Sequence, residues 1–243
     1  MIKSADRLAL AFKVSINMVM PVLLHMNSVD VKRKKNERKF WNRISRIYDS
    51  WIKKAFEDQY AEFRLKFSSS VQSTDTVLEL GTGTGDIALH IAPHCKEVVG
   101  IDLAPEMIAI ANGKRSAWNL ENISFQVGDA YNLPFDEFSF DKVICCNVLQ
   151  TMKDPLRAIT EGRKVLKDGG EFISITYCFG DSSFWELLKL IKWVILYGKP
   201  RYWINFTRND LIANFKRADF EILEDEDIWK TPVVLFLRCK KRG

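Results

Sequence analysis

The sequence predicts an α/β fold in which a largely parallel sheet carries helices on both faces. Three observations predict it. Residues 77–86 read as a strand that runs through a glycine-rich turn into a helix. Between residues 76 and 177, apolar runs of strand length alternate with segments of helical period. Past Tyr177, apolar runs at 220–223 and 233–237 flank a short polar turn and close the chain as an antiparallel hairpin. Such alternation argues for parallel strands joined by right-handed crossovers, which places all strand C-termini at one edge. Open sheets of this type bind their ligands at that edge.

Composition sets the scale. The 243 residues are 47% hydrophobic and 28% charged with a net charge of +5, which fits one large α/β domain with appendages. That charge alone does not point to nucleic acid. Cys95, Cys145, Cys146, Cys178 and Cys239 are odd in number and form no C-x-x-C. They read as reduced core thiols of a cytoplasmic protein.

Near the N-terminus, residues 8–26 are apolar, interrupted by Lys13, Asn17 and Pro21. No small-residue cleavage site follows, so no signal peptide is expected. The run is amphipathic and only marginally able to span a bilayer. Residues 32–39 carry seven charges, six of them basic, which suits either a solvated linker or a contact with an anionic surface. Residues 1–39 are therefore set apart as an apolar and basic appendage to a domain over 40–243. That domain begins with the helical spacing of Phe40, Trp41, Ile44, Tyr48 and Trp51.

The first strand covers 76–80, and Gly81, Gly83 and Gly85 follow at alternate positions. Glycine backbone admits a ligand closely, and the helix beyond presents unpaired N–H groups. Glu79 adds a carboxylate, so the turn suits a ligand with amino and carboxylate groups. A strand at 98–101, a helix at 105–118, strands at 123–127 and 142–146, a helix at 155–166 stopped by Gly169-Gly170, and a strand at 171–177 follow. An apolar helix at 184–197 breaks the rhythm, and Thr207 starts another helix. Four features then meet at the C-terminal edge of the sheet. They are the glycine turn, Asp102 placed to accept ribose hydroxyls, Gly128-Asp129-Ala130 beside an adenine amine, and residues 147–151 facing mid-cleft. The G-x-G-x-G spacing departs from the dinucleotide pattern G-x-G-x-x-G, which leaves an NAD-dependent oxidoreductase as the alternative.

Taken in order, five motifs carry a resemblance. They are Glu79-x-Gly81-x-Gly83-x-Gly85, Val99-Gly-Ile-Asp-Leu-Ala-Pro-Glu-Met107, Gly128-Asp-Ala-x-x-Leu-Pro-Phe135, Phe140-Asp-x-Val143 and Arg163-Lys-Val-Leu-Lys-Asp-Gly-Gly170. The chain resembles class I S-adenosylmethionine-dependent methyltransferases, above all the small-molecule branch that includes the ubiquinone and menaquinone biosynthesis enzymes. The resemblance runs over about residues 40–178. It implies a seven-stranded, Rossmann-like sheet with the last strand antiparallel, and S-adenosyl-L-methionine as cofactor. Gly81, Thr82, Gly83 and Gly85 would then line its methionine part, with Glu79 near the amino group or orienting the loop. Asp102 would bind the ribose, Leu103 and Met107 would pack near the adenine, and Gly128, Asp129 and Ala130 would hold its edge. Asn147 would border both cofactor and acceptor. Tyr48-Asp49 matches a pair on an N-terminal helix that closes over the cofactor in many relatives. Ala104 and Asp168 depart from the usual Ser and Pro. Gln150 and Thr151 stand where a His is frequent, so no His-based catalysis is expected.

Methyl transfer requires the acceptor to be aligned and water to be excluded. Asn147, Gln150 and Tyr177, each ending or following a central strand, are expected on the acceptor side. His90 and His94 share a helix face with no third ligand and read as packing residues, so no metal is expected. Cys145, Cys146 and Cys178 keep methylation of a metalloid open. Asn147-Val-Leu-Gln lacks the prolines typical of base-amino methylation, which ranks nucleic acid low. The apolar segments favour a small hydrophobic acceptor such as a quinone, lipid or thiol, with residues 179–206 as a lid insertion. They also suggest peripheral contact of 8–39 and 184–197 with the inner membrane surface. The oligomeric state is not specified.

Overall fold

A computed structural model describes residues 4–182 and 200–242, together with 195 and 198, and side chains from residue 30 onward. Strands β1 (Thr76–Leu80), β2 (Glu97–Asp102), β3 (Ile123–Val127), β4 (Phe140–Cys146), β5 (Leu166–Tyr177), β6 (Phe220–Lys230) and β7 (Val233–Lys241) form a single sheet. Its order is β3-β2-β1-β4-β5-β7-β6. The first five strands are parallel, and β7 runs antiparallel to both of its neighbours. The expected fold class is the observed one.

Helices cover both faces. On one lie α1 (Ser4–Ser69), α2 (Asp86–Ile91) and α3 (Pro105–Ala117); on the other lie α4 (Pro155–Val165) and α5 (Arg208–Arg217). Side chains alternate across each strand. Val77 therefore enters one core with Phe63 and Phe67, while Leu78 and Leu80 enter the other with Phe172 and Phe215. Burial on both faces is why the central strands read as unbroken apolar runs. Thr207 caps α5 in a reciprocal capping box with Asp210, as its place before the helix suggests.

Three elements differ from expectation. The hairpin strands are longer, because the acidic stretch 224–227 continues β6 instead of forming a turn. Distant cations neutralise it: Arg208 reaches Asp225 and Asp227 at 2.7 Å each, and Lys66 pairs with Glu226. As an edge strand, β6 also tolerates outward charges that block pairing with another sheet. Secondly, β5 starts at Leu166 and passes through Gly169-Gly170. Thirdly, α1 extends far upstream of Phe40 and shows no break at residue 39; its one non-helical residue is Phe56. The expected helix at 184–197 lies outside the described residues. No helix among the described residues is long and apolar enough to cross a membrane.

Candidate active site

The site lies where β1 to β5 end. The glycine turn is fixed from below by Thr82, whose N–H donates to the Ile101 carbonyl at 2.9 Å and whose hydroxyl donates to Glu79 at 2.5 Å. Gly81 and Gly83 both have positive φ, and they differ in surroundings. A Cβ at Gly81 would meet Val148 at 2.5 Å, whereas one at Gly83 would meet nothing within 4 Å, so Gly83 presents bare backbone to the cleft. Asp102, at the end of β2, braces the turn. Its carboxylate accepts from the Gly83 N–H at 3.0 Å and the Ala104 N–H at 2.8 Å. Burial outweighs these bonds and raises its pKa to about 6.

Two cavities adjoin at this edge. The first is bordered by Gly81, Gly83, Asp102, Leu103, Met107 and the 128–130 loop, and it is roofed by α1. Here Asp129 accepts from the Arg33 guanidinium at 2.5 Å and from the Tyr131 N–H at 3.1 Å, with Lys34 at 3.0 Å. Burial alone would raise the Asp129 pKa; the Tyr131 N–H and the two cations more than offset it, and the group sits below its ordinary value. Arg33 also lies 4.2 Å over the Tyr131 ring and donates to Glu37 at 2.9 Å. The second cavity, about 210 Å³, is walled by aromatic rings from α1, β5 and the segments after β5. Tyr177 stacks on Phe179 at 5.2 Å, and Phe179 stacks on Trp203 at 5.3 Å. The Tyr177 hydroxyl donates to Gln59 at 2.6 Å, and the Tyr48 and Tyr60 hydroxyls meet at 3.3 Å.

Most of the expected site residues come together here. Tyr48, Gly81, Gly83, Asp102, Leu103, Met107, Gly128, Asp129, Ala130 and Asn147 border the first cavity. Asn147, Gln150 and Tyr177 border the second. Glu79, Thr82 and Gly85 do not reach either cavity. Glu79 is 2% exposed and orients the loop through Thr82, and Gly85 caps α2 with its backbone pressed against Phe125. Asp49 accepts from the Thr84 hydroxyl at 2.6 Å and pairs with Lys114 at 2.7 Å, which ties α1 to the glycine turn and to α3. His90 packs edge-on against Trp118.

Sequence reasoning missed Arg33, Glu37 and Trp41, which belong to the roof of the first cavity. The i, i+4 spacing of Arg33 and Glu37 inside the basic run was the available signal, since side chains four apart on a helix are neighbours. It also missed Trp51, Phe56, Phe179 and Trp203 in the second cavity.

Residues 78–174 match a family model described as a methyltransferase domain. The chain is 35% identical over 101 residues to an uncharacterized methyltransferase, YcgJ, of Bacillus subtilis, covering 42% of this chain and 40% of that protein. It is 32% identical over 147 residues to a demethylmenaquinone methyltransferase of Thermotoga maritima, covering 58% and 62%. A solved structure, a putative methyltransferase from Bacillus halodurans, superposes with a TM-score of 0.63 at 17% identity, covering 74% of this chain and 99% of that one. Over residues 78–174 the chain thus resembles class I S-adenosylmethionine-dependent methyltransferases. Its matched stretches span about half the length of those curated relatives. The superposition on the solved structure speaks for the fold alone. S-adenosylmethionine is the cofactor of this methyltransferase domain.

Burial raises the Glu79 pKa from 4.5 to about 8, against the opposing bond from Thr82. The folded domain therefore keeps a proton that the unfolded chain has already released. This contribution to stability is fully present below about pH 4.5 and is lost as pH rises toward 8. Glu79→Gln is expected to flatten that decline. Thermal unfolding of both proteins across this range checks it, and parallel pH profiles would show that Glu79 is already ionised in the fold.

Proposed function

We propose that this domain moves the methyl group of S-adenosylmethionine to a small, uncharged, hydrophobic acceptor held in the aromatic cavity. The observation that carries the reading is that Trp41, Tyr48, Asn147 and Thr151 border both cavities. A donor in one and an acceptor in the other would meet at these four residues. The fit of the cofactor rests on three features. Gly83 offers open backbone, Asp102 ends β2 with a buried carboxylate, and both amide atoms of Asn147 are buried without a partner. A buried unpaired amide calls for a ligand or an ordered water.

When bound, S-adenosylmethionine supplies a methyl group already activated by its sulfonium. The chain's own residues position the partners and exclude water. Gly81 and Gly83 would receive the methionine part, Asp102 the ribose hydroxyls, and Leu103 and Met107 the adenine faces. Asp129 would hold the adenine edge once the Arg33 contact yields. Ionised Asp102 and Asp129 favour a cationic ligand. Among the described residues, no charged side chain borders the aromatic cavity, and burial raises the pKa values of Tyr48, Tyr60 and Tyr177. Those hydroxyls stay protonated, so they orient an acceptor and do not abstract its proton. The acceptor atom must therefore be nucleophilic without a protein base.

The electron-rich ring carbon of a quinol, the reduced form of a quinone, satisfies these terms, its ring proton passing to solvent once the methyl group is on, and the relative from Thermotoga maritima is named for demethylmenaquinone. Methylation of a metalloid is less well supported, since burial pushes the Cys145, Cys146 and Cys178 thiols up and away from the thiolate. In this reading residues 1–39 are an appendage, 179–206 include an acceptor lid, and contact of 8–39 and 184–197 with the inner membrane surface brings the acceptor. Gln150 provides the test. It is 4% exposed, and its Oε1 lacks a partner at the wall of the aromatic cavity. Gln150→Ala should lower turnover by roughly tenfold, the worth of one well-placed hydrogen bond, with S-adenosylmethionine affinity nearly unchanged. Unchanged turnover on the identified acceptor would remove Gln150 from the site.

A further inference from the structure

The helix α1 is divided lengthwise. Over residues 31–54 its inward face carries Arg33, Glu37, Trp41 and Tyr48 at the site and Ile44 and Ile52 in the core. The opposite face carries Lys32, Lys35, Lys39, Arg46, Lys53 and Lys54, all exposed. With 3.6 residues per turn these six fall in a band of about 100°, along about 33 Å of helix. The only acids in the stretch point elsewhere: Glu37 takes the Arg33 guanidinium at 2.9 Å, and Asp49 takes Lys114 at 2.7 Å. None of the six cations forms an ion pair with a described residue.

A surface helix ordinarily intersperses both signs, and a mixed face is simply solvated. This face has one sign over its whole length, and it continues a run of different character. Residues 8–26, on the same helix, hold a single charged side chain, Lys13. We infer that this face of α1 docks on an anionic lipid bilayer, the basic stripe against the headgroups and the apolar 8–26 run entering the interface. Two weak signals of this kind act together where neither suffices alone. A nucleic acid would match the cations and leave the adjoining apolar run without a partner. The same helix roofs the cofactor cavity, so docking holds the cleft beside the bilayer, where an apolar acceptor is concentrated. The docking surface does not depend on the methyl-transfer reading, and its test uses no turnover.

The test is co-sedimentation of the full chain with phosphatidylcholine vesicles, with and without phosphatidylserine, at low and high salt. We expect binding to the phosphatidylserine vesicles that weakens in high salt, where screening shortens to a few ångströms. Combining Lys32→Glu, Lys35→Glu, Lys39→Glu and Arg46→Glu should reduce that binding by roughly a hundredfold or more, given the per-residue worth of basic groups at such surfaces. S-adenosylmethionine affinity should persist, which shows that the variant is folded. Should that variant not fold, the pair Lys53→Glu and Lys54→Glu, at the far end of the stripe, should still weaken vesicle binding. Absence of binding to anionic vesicles, binding indifferent to these reversals, equal binding to neutral vesicles, or stronger binding to single- or double-stranded RNA would each overturn the inference.

Discussion

Replacing Asp102 by Ala is expected to weaken S-adenosylmethionine binding by more than tenfold. Two losses combine. The carboxylate that would accept the ribose hydroxyls disappears, and so do its bonds from the Gly83 and Ala104 N–H groups at 3.0 and 2.8 Å. A hydrogen bond to a charged group contributes about 1.5–3 kcal/mol, or roughly ten- to a hundredfold in affinity. Asp102→Asn separates the two losses, since an amide oxygen can still brace the turn. Calorimetry on both variants decides. Full affinity in Asp102→Ala would place the ribose elsewhere.

Side chains added to the glycine turn are expected to act oppositely at two positions. At Gly83, with φ of +55° and no atom within 4 Å of a built Cβ, Gly83→Val puts its methyl groups into the cleft. Fold stability should fall only by on the order of 1–2 kcal/mol, the cost of a left-handed backbone, while cofactor binding is lost. At Gly85, with φ of +83°, an added Cβ meets Phe125 at 2.7 Å and Ala111 at 3.1 Å. Gly85→Ala should destabilise the domain by about 2–4 kcal/mol through strain and overpacking, before binding is affected. Melting temperatures with and without S-adenosylmethionine distinguish the two cases. A Gly83→Val protein that is still stabilised by the cofactor would mean that the methionine part does not pass there.

Much of this architecture was legible because it is local. The central strands β1, β4 and the end of β5 are buried on both faces, so their apolar runs stand out, and β1 to β5 each end in, or one residue before, a residue that borders the cleft. The glycines and Asp102 belong to one turn and one strand end. What escaped is long-range. Arg33 reads as part of a solvated basic run until Asp129, distant in sequence, is brought to 2.5 Å from it. The acids of 224–227 read as a turn because the neutralising Arg208 and Lys66 lie on other elements. The aromatic cavity gathers rings from α1, from the end of β5 and from Trp203, and no local pattern announces that they meet. Tyr177 and Gln150 were found because one ends a strand and the other follows one; Phe56 and Trp203 do neither.

Incubating the full chain with methyl-labelled S-adenosylmethionine and a total lipid extract tests most directly that the adjoining cavities hold a methyl donor and an uncharged acceptor. The label should pass into a small molecule that partitions into organic solvent, at a rate that falls with Asp102→Ala and with Gln150→Ala. Label found only in water-soluble charged compounds or in nucleic acid, or cofactor bound with no transfer to any extract, would contradict it.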